Sequence, residues 1–189
     1  MPEKIIETMT LLDQLNRLLV ERSVKRGDFI LASGKSSSIY VDARLTTMSP
    51  EGMNLIGPLA LAAIKHKGWD PDSVGGLTLG ADPVAFAISY ASIDQLKPLR
   101  AFTVRKQAKT HGIGNLIEGP FSIMDQVVVV EDVVTTGKSA LQAIEAIVTA
   151  GAHVLGVLAI VNREEGGIDV IRARGFETIF LTSLADLTV

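Results

Sequence analysis

Glu131 and Asp132, followed after two valines by Thr135, Thr136, Gly137, Lys138 and Ser139, are the residues of this sequence whose types and spacing best suit chemistry. Adjacent carboxylates can accept hydrogen bonds from vicinal hydroxyls, while hydroxyl and backbone N–H groups at a helix start favour an anion. The combination suits a phosphorylated sugar. It is not a Walker A loop, because G-x-x-x-x-G-K-[ST] needs a glycine five residues before Gly137, and Asp132 stands there. An ordinary helix cap would explain one hydroxyl, but not an acidic pair at the end of a buried strand.

Two further stretches carry charge in places where chemistry could use it. In RKQAKTHGIGNLIEG, Arg105, Lys106, Lys109 and His111 gather positive charge on a long connection, with Gly112 and Gly114 among them. Cation runs usually mark a solvated face, but a long glycine-bearing loop between strands reads as a lid. In VNREEGG, Arg163 follows an apolar run; by itself it could pair with Glu164 or Glu165 at the surface.

The elements that must hold these groups follow from periodicity. The run of four valines from Val127 to Val130 reads as a strand buried on both faces, as in a parallel sheet, and ligands of open α/β sheets gather at the carboxyl ends of such strands. LQAIEAIVTA then forms a helix, HVLGVLAIV a second buried strand, and ETIFLT an edge strand. Upstream, residues 8–22 place leucines at helical spacing, and FIL and IYV form two short strands around a polar loop holding Ser33, Gly34 and Lys35. Residues 50–67 read as a helix that Pro58 should bend or interrupt, with His66 on a solvated face. The segment SVGGLTLGADPVAFAISYAS reads as strand, turn and helix, with Gly80, Ala81, Asp82 and Pro83 at the turn; lacking G-x-G-x-x-G, it gives no support to a dinucleotide fold. Alternating strands and helices predict an α/β fold with a mainly parallel central sheet flanked by helices and a small N-terminal hood.

Composition bounds the rest. At 189 residues, with 47% hydrophobic and 21% charged residues, the chain fits one globular domain. With no cysteines, disulfides, thiolate metal sites and a cysteine nucleophile are excluded, in keeping with a cytoplasmic location. A net charge of −3 with 5% aromatic residues argues against a nucleic-acid partner, and the apolar runs are too short to span a membrane. The histidines show no metal-binding spacing.

Taken together the motifs resemble a known family. VVVVEDVVTTGKS closely resembles the phosphoribosyl pyrophosphate (PRPP) motif of type I phosphoribosyltransferases. The pattern F-x-L-x-S-G-x-x-S-x-x-Y-x-D-x-R, filled by Phe29, Leu31, Ser33, Gly34, Ser37, Tyr40, Asp42 and Arg44, is similar to the N-terminal signature of orotate phosphoribosyltransferases. R-K-x-x-K-x-H-G resembles their catalytic loop, and V-x-R-x-E-G their orotate-contacting segment. Four motifs thus fall in order between Phe29 and Gly167.

The resemblance implies transfer of the 5-phosphoribosyl group from PRPP to orotate, giving orotidine 5′-monophosphate and pyrophosphate in pyrimidine biosynthesis. It implies catalytic roles for Lys109, His111 and Asp132. PRPP would be bound by Arg105, Lys106, Lys109, His111 and the run Glu131, Asp132, Val133, Val134, Thr135, Thr136, Gly137, Lys138, Ser139. Orotate would meet Tyr40, Thr135 and Arg163, and Gly80, Ala81 and Asp82 would form the pyrophosphate loop. Mg²⁺ would arrive on PRPP without direct protein ligands. The single domain, residues 1–189, would carry a hood over about 1–45 and a mobile lid over about 105–118, shared across a homodimer. Many members have a lysine where this chain has Ala32, a role that Lys35 could take over, and an aspartate where it has Asn162. The alternatives are a phosphoribosyltransferase for another base, which would have no use for Arg163, and a PRPP-sensing regulator that binds RNA, which the acidic net charge disfavours.

Overall fold

The computed structural model of the protein describes residues 2–30, 36–107 and 116–188, with residues 2–10 described as backbone only. Ala32, Ser33, Gly34, Lys35, Lys109 and His111 therefore lie outside the described residues. The first helix, α1 (Pro2–Arg22), starts earlier than its leucine pattern predicts; proline suits a first helical turn, and nothing after it breaks the run. Strands β1 (Val24–Ile30) and β2 (Ser36–Val41) pair antiparallel as a separate two-stranded sheet. Both are longer than their apolar cores, because ladder pairing is a backbone property that carries exposed Lys25 and Ser36 as well as Phe29.

Short helix α2 (Arg44–Thr47) and long helix α3 (Pro50–His66) follow. Ser49 caps α3, its Oγ accepting from Gly52 N at 3.1 Å. Contrary to expectation Pro58 does not interrupt this helix. Pro58 and Asn54 both lie on the exposed side, so the carbonyl that loses its N–H partner can bond to water.

The remaining elements build the main sheet: β3 (Ser73–Leu77), α4 (Ala81–Ala91), β4 (Arg100–Val104), β5 (Ile117–Glu118), β6 (Gln126–Val134), α5 (Lys138–Ala150), β7 (His153–Asn162), α6 (Gly167–Ala173) and β8 (Thr178–Ser183). The strand order is β5-β4-β3-β6-β7-β8, and every neighbouring pair is parallel except the short edge pair β4–β5. The mainly parallel sheet and the hood-like hairpin are thus as the sequence predicts; β5 is an addition that its two residues gave no periodicity to reveal.

Each face of the sheet has its own core. Val128, Val130, Leu158 and Ile160 pack with α1, α3 and α4, whereas Val127, Val129, Val157 and Ala159 pack with α5 and α6. The period-two alternation of β6 therefore sends successive side chains to opposite helical layers. From β3 the chain winds one way, through α4 to β4; from β6 it winds the other way, through α5 to β7. The boundary between β3 and β6 is the topological switch point, where open α/β sheets leave a crevice.

Ile160 is fully buried, while Val170 is 45% exposed. Ile160→Ala should lower unfolding free energy by ~2–5 kcal/mol in urea titrations, and Val170→Ala should stay within about 0.5 kcal/mol of wild type; similar losses for both would contradict this placement of the core.

Candidate active site

At the switch point a cavity of about 620 Å³ opens. Its floor is the carboxyl end of β6, its walls are the β3–α4 turn and the β6–α5 loop, and its roof includes Tyr40 of the hairpin. Glu131, Asp132, Val133, Thr135, Thr136, Lys138 and Ser139 all line it, as do Lys106 and Arg163 from opposite sides. A smaller cavity of about 30 Å³ lies within the β6–α5 loop itself, bounded by Glu131 and residues 133–140, which include Val134 and Gly137.

The strand alternation separates the two carboxylates. Glu131 points to the α5 layer and borders the small cavity, whereas Asp132 points to the α4 layer, against the turn at Gly80. The bare Cα of Gly80 lets the Asp132 carboxylate lie against the turn, and a side chain there would have to displace it. Glu131 is 6% exposed and its Oε1 has no hydrogen-bond partner. Burial pushes its carboxyl well above the ordinary range, and the neighbouring Asp132 adds repulsion. Asp132 is also raised, first by burial; the 2.8 Å hydrogen bond from Val133 N and the positive charge of Arg44 work against that rise.

Both flanking helices present uncapped N-termini. Gly80 precedes α4 and Gly137 precedes α5, and neither helix start has a side-chain cap. The first-turn N–H groups have no intrahelical acceptor and carry the positive end of the helix dipole, so they can hold phosphate oxygens. Gly137 has φ 77°, a left-handed conformation that turns the chain from β6 into α5 at little steric cost.

The β3–α4 turn differs in detail from its sequence reading. Thr78, Leu79 and Gly80 face the cavity, with a cis peptide bond between Thr78 and Leu79. Ala81 is buried, and the Asp82 carboxylate accepts from Thr78 Oγ1 at 2.7 Å and Thr103 Oγ1 at 2.9 Å. Asp82 therefore braces the turn from behind.

Arg163 is buried rather than at the surface. It pairs with Glu165 at 2.9 Å and donates from Nη2 to the Ile39 carbonyl of β2 at 3.4 Å, while Nε has no partner. Asn162 Oδ1 accepts from Glu164 N at 2.9 Å and holds the turn after β7, a service aspartate could also perform. Tyr40 packs on Phe29 with ring centroids 5.5 Å apart. Arg105 does not line the cavity; it pairs with Glu118 at 3.6 Å, while the Lys106 carbonyl accepts from Gln142 Nε2 at 3.1 Å and so ties the start of the cationic segment to α5. Sequence reasoning missed Leu77, Thr78, Leu79 and Glu165 as lining residues, and passed over Arg44 except as part of a pattern. Only Arg44, a charge held in the Asp42-x-Arg44 pattern, offered a signal that could have found it.

Among the described residues no cluster of three His, Asp or Glu side chains could hold a metal, and no helix is long and apolar enough to cross a membrane. Of the acidic groups at the cavity, Asp42 and Glu165 are paired with arginines, and Glu131 and Asp132 fit an ion that keeps most of its ligands from a phosphorylated substrate and water.

The raised carboxyl of Glu131 gives a signed prediction. Its folded form holds the proton above the free value of 4.5, so as pH rises past that value the unfolded chain ionises first and stability falls. Each unit of elevation costs about 1.4 kcal/mol once both forms are ionised. Glu131→Gln should thus melt above wild type at pH 8, with the gap closing towards pH 4.5. A variant less stable than wild type at pH 8 would contradict the burial penalty.

No protein-family model matches the chain. Individual proteins do. The chain is 45% identical over 178 residues to the orotate phosphoribosyltransferase of Aquifex aeolicus, covering 93% of this chain and 96% of that one. A crystal structure of Mycobacterium tuberculosis H37Rv orotate phosphoribosyltransferase in complex with Fe(III) dicitrate matches with TM-score 0.83 at 42% identity, over 95% of this chain and 99% of that one. A structure of the same enzyme in complex with PRPP matches with TM-score 0.76 at 37% identity, over 94% and 92% of the two chains. Similarity of this degree, in sequence and in fold over nearly the whole chain, means that the chain belongs to the orotate phosphoribosyltransferase family.

Proposed function

We propose that the protein transfers the 5-phosphoribosyl group of PRPP to orotate, releasing pyrophosphate and forming orotidine 5′-monophosphate in the cytoplasm. The observation that carries this reading is one cavity bounded by the Glu131–Asp132 pair, by the uncapped start of α5, and by Arg163 beneath the hairpin. The single domain works with a hood, about residues 1–45, and a lid, about residues 105–118, which a homodimer shares across its interface.

In this reading the helix start at Gly137, Lys138 and Ser139 grips the 5′-phosphate, with the small loop cavity as its seat. Asp132 and Glu131 accept hydrogen bonds from the ribose hydroxyls. As the bond to the diphosphate breaks, positive charge grows on the sugar ring, and Asp132 lies where it stabilises that charge. Thr78, Leu79 and Gly80, at the start of α4, face the departing diphosphate, together with Lys106, Lys109, His111 and, at the lid's base, Arg105. Mg²⁺ arriving with the substrate would supply further positive charge against the leaving diphosphate. Orotate lies under Tyr40 and beside Thr135, its carboxylate against Arg163, whose planar guanidinium can bond it at two points. Closure of the lid and hood keeps water from the reacting carbon.

The deciding measurement is the absorbance change when protein, Mg²⁺ and PRPP are mixed with orotate, in parallel with adenine, hypoxanthine and uracil. Turnover is expected with orotate alone; turnover of another base would keep the PRPP site and overturn the assignment of Arg163, and PRPP binding without turnover would favour a regulator. Arg163→Gln should lower kcat/KM for orotate by about 10- to 100-fold, the worth of a charge-assisted hydrogen bond, chiefly through KM. For Lys109→Ala the expected loss falls on kcat, with PRPP affinity little changed. A rise in KM at constant kcat would remove Lys109 from the transition state.

A further inference from the structure

The β3–α4 turn that faces the diphosphate in the reading above supplies no positive charge. Thr78, Leu79 and Gly80 are neutral, and Asp82 is engaged by two threonines. The most highly charged part of the substrate would therefore meet backbone N–H groups there but no cationic side chain. Among the described residues the cavity's cations are Arg44, Lys106, Lys138 and Arg163. In the reading above Arg163 faces the carboxylate of orotate, Lys138 belongs to the phosphate-holding helix start, and Lys106 stands at the base of the lid.

Arg44 is the cation left without a task, and its setting is that of a prepared ligand. It opens α2 and lines the cavity. Asp42 holds its guanidinium at two points, Nε to Oδ1 at 2.8 Å and Nη2 to Oδ2 at 3.1 Å. Nη1 has no partner among the described residues, and the side chain is 45% exposed. The helix beneath it is pinned by the 2.7 Å hydrogen bond between Ser23 and Thr46, both fully buried. A fixed fork with a free edge loses little freedom on meeting a phosphate. Its charge also reaches Asp132, the carboxylate assigned above to the charge that grows on the sugar ring.

We propose that Arg44, oriented by Asp42, binds the diphosphate of PRPP from the hood side of the cavity and supplies the positive charge that the β3–α4 turn lacks. This rests on the PRPP reading above. As a plain surface ion pair, Asp42–Arg44 would be worth only about 0–1 kcal/mol of stability, and its loss would leave binding untouched.

The test is calorimetric titration of wild type, Arg44→Gln and Arg44→Lys with PRPP, inorganic pyrophosphate and ribose 5-phosphate, each with Mg²⁺. Arg44→Gln should weaken PRPP and pyrophosphate by about tenfold or more and leave ribose 5-phosphate within about twofold. Arg44→Lys, which keeps the charge and loses the fork, should fall between. Thermal unfolding of both variants should match wild type, because the side chain is half exposed. Equal weakening of all three ligands would mean that Arg44 acts through Asp132 or the hairpin, and unchanged binding would make it a surface pair; either result overturns the proposal. Wild-type protein that binds neither PRPP nor ribose 5-phosphate would overturn the PRPP reading itself and this inference with it.

Discussion

Burying a carboxylate is unfavourable unless hydrogen bonds or opposite charges replace the water it loses, and Glu131 and Asp132 offset that penalty only in part. Asp132 receives one backbone hydrogen bond and the distant charge of Arg44; Glu131 leaves an oxygen with no partner. The rest of the fold makes this arrangement possible. Four valines commit β6 to the centre of the sheet, helices close over both faces, and the strand delivers its polar end into the crevice that the reversal of winding leaves. Donors arriving from outside are what the pair lacks, and sugar hydroxyls are donors of the right kind.

The same economy governs the helix starts around the cavity. A capping serine or aspartate before α4 or α5 would satisfy their N–H groups and compete with an anion for them. Glycine occupies both positions and satisfies none. By contrast α3, which lies away from the cavity, has the conventional Ser49 cap. The starts of α4 and α5 therefore keep N–H groups free to meet an anion. Gly80 serves a second purpose, since its bare Cα lets the turn settle against Asp132 and brings β3 and β6 to bear on the same volume.

What could be read beforehand divides along physical lines. The parallel sheet, the flanking helices and the acidic pair were legible because a strand buried on both faces writes a continuous apolar run, and a charged pair at its end has no structural excuse. The extent of β1 and β2 was not, because ladder pairing tolerates the serines and lysine that apolar pattern reading discards. Pro58 misled for a similar reason: its cost depends on whether the abandoned carbonyl is buried, and orientation about the helix axis decides that. The bracing of the β3–α4 turn by the Asp82 carboxylate was not legible either, because its two threonine partners stand 4 and 21 positions away. Burial of Arg163 depends on the hairpin folding over β7, a contact across 124 positions that no local pattern contains.

That last contact also bears on how the cavity discriminates. Arg163 reaches the Ile39 carbonyl on β2, so the guanidinium and the hairpin next to Tyr40 are fixed relative to each other. Glu165 keeps the buried charge neutral, and the unpaired Nε leaves one edge of the fork with hydrogen-bonding capacity unspent. A ligand that brings a carboxylate to that edge completes the set, whereas a base without one leaves a buried donor unsatisfied, and an unsatisfied buried donor is penalised more heavily than a satisfied one is rewarded. In the proposed reading, discrimination rests on what the wrong ligand fails to bond, and it is as sharp as the hairpin is firmly seated on β7.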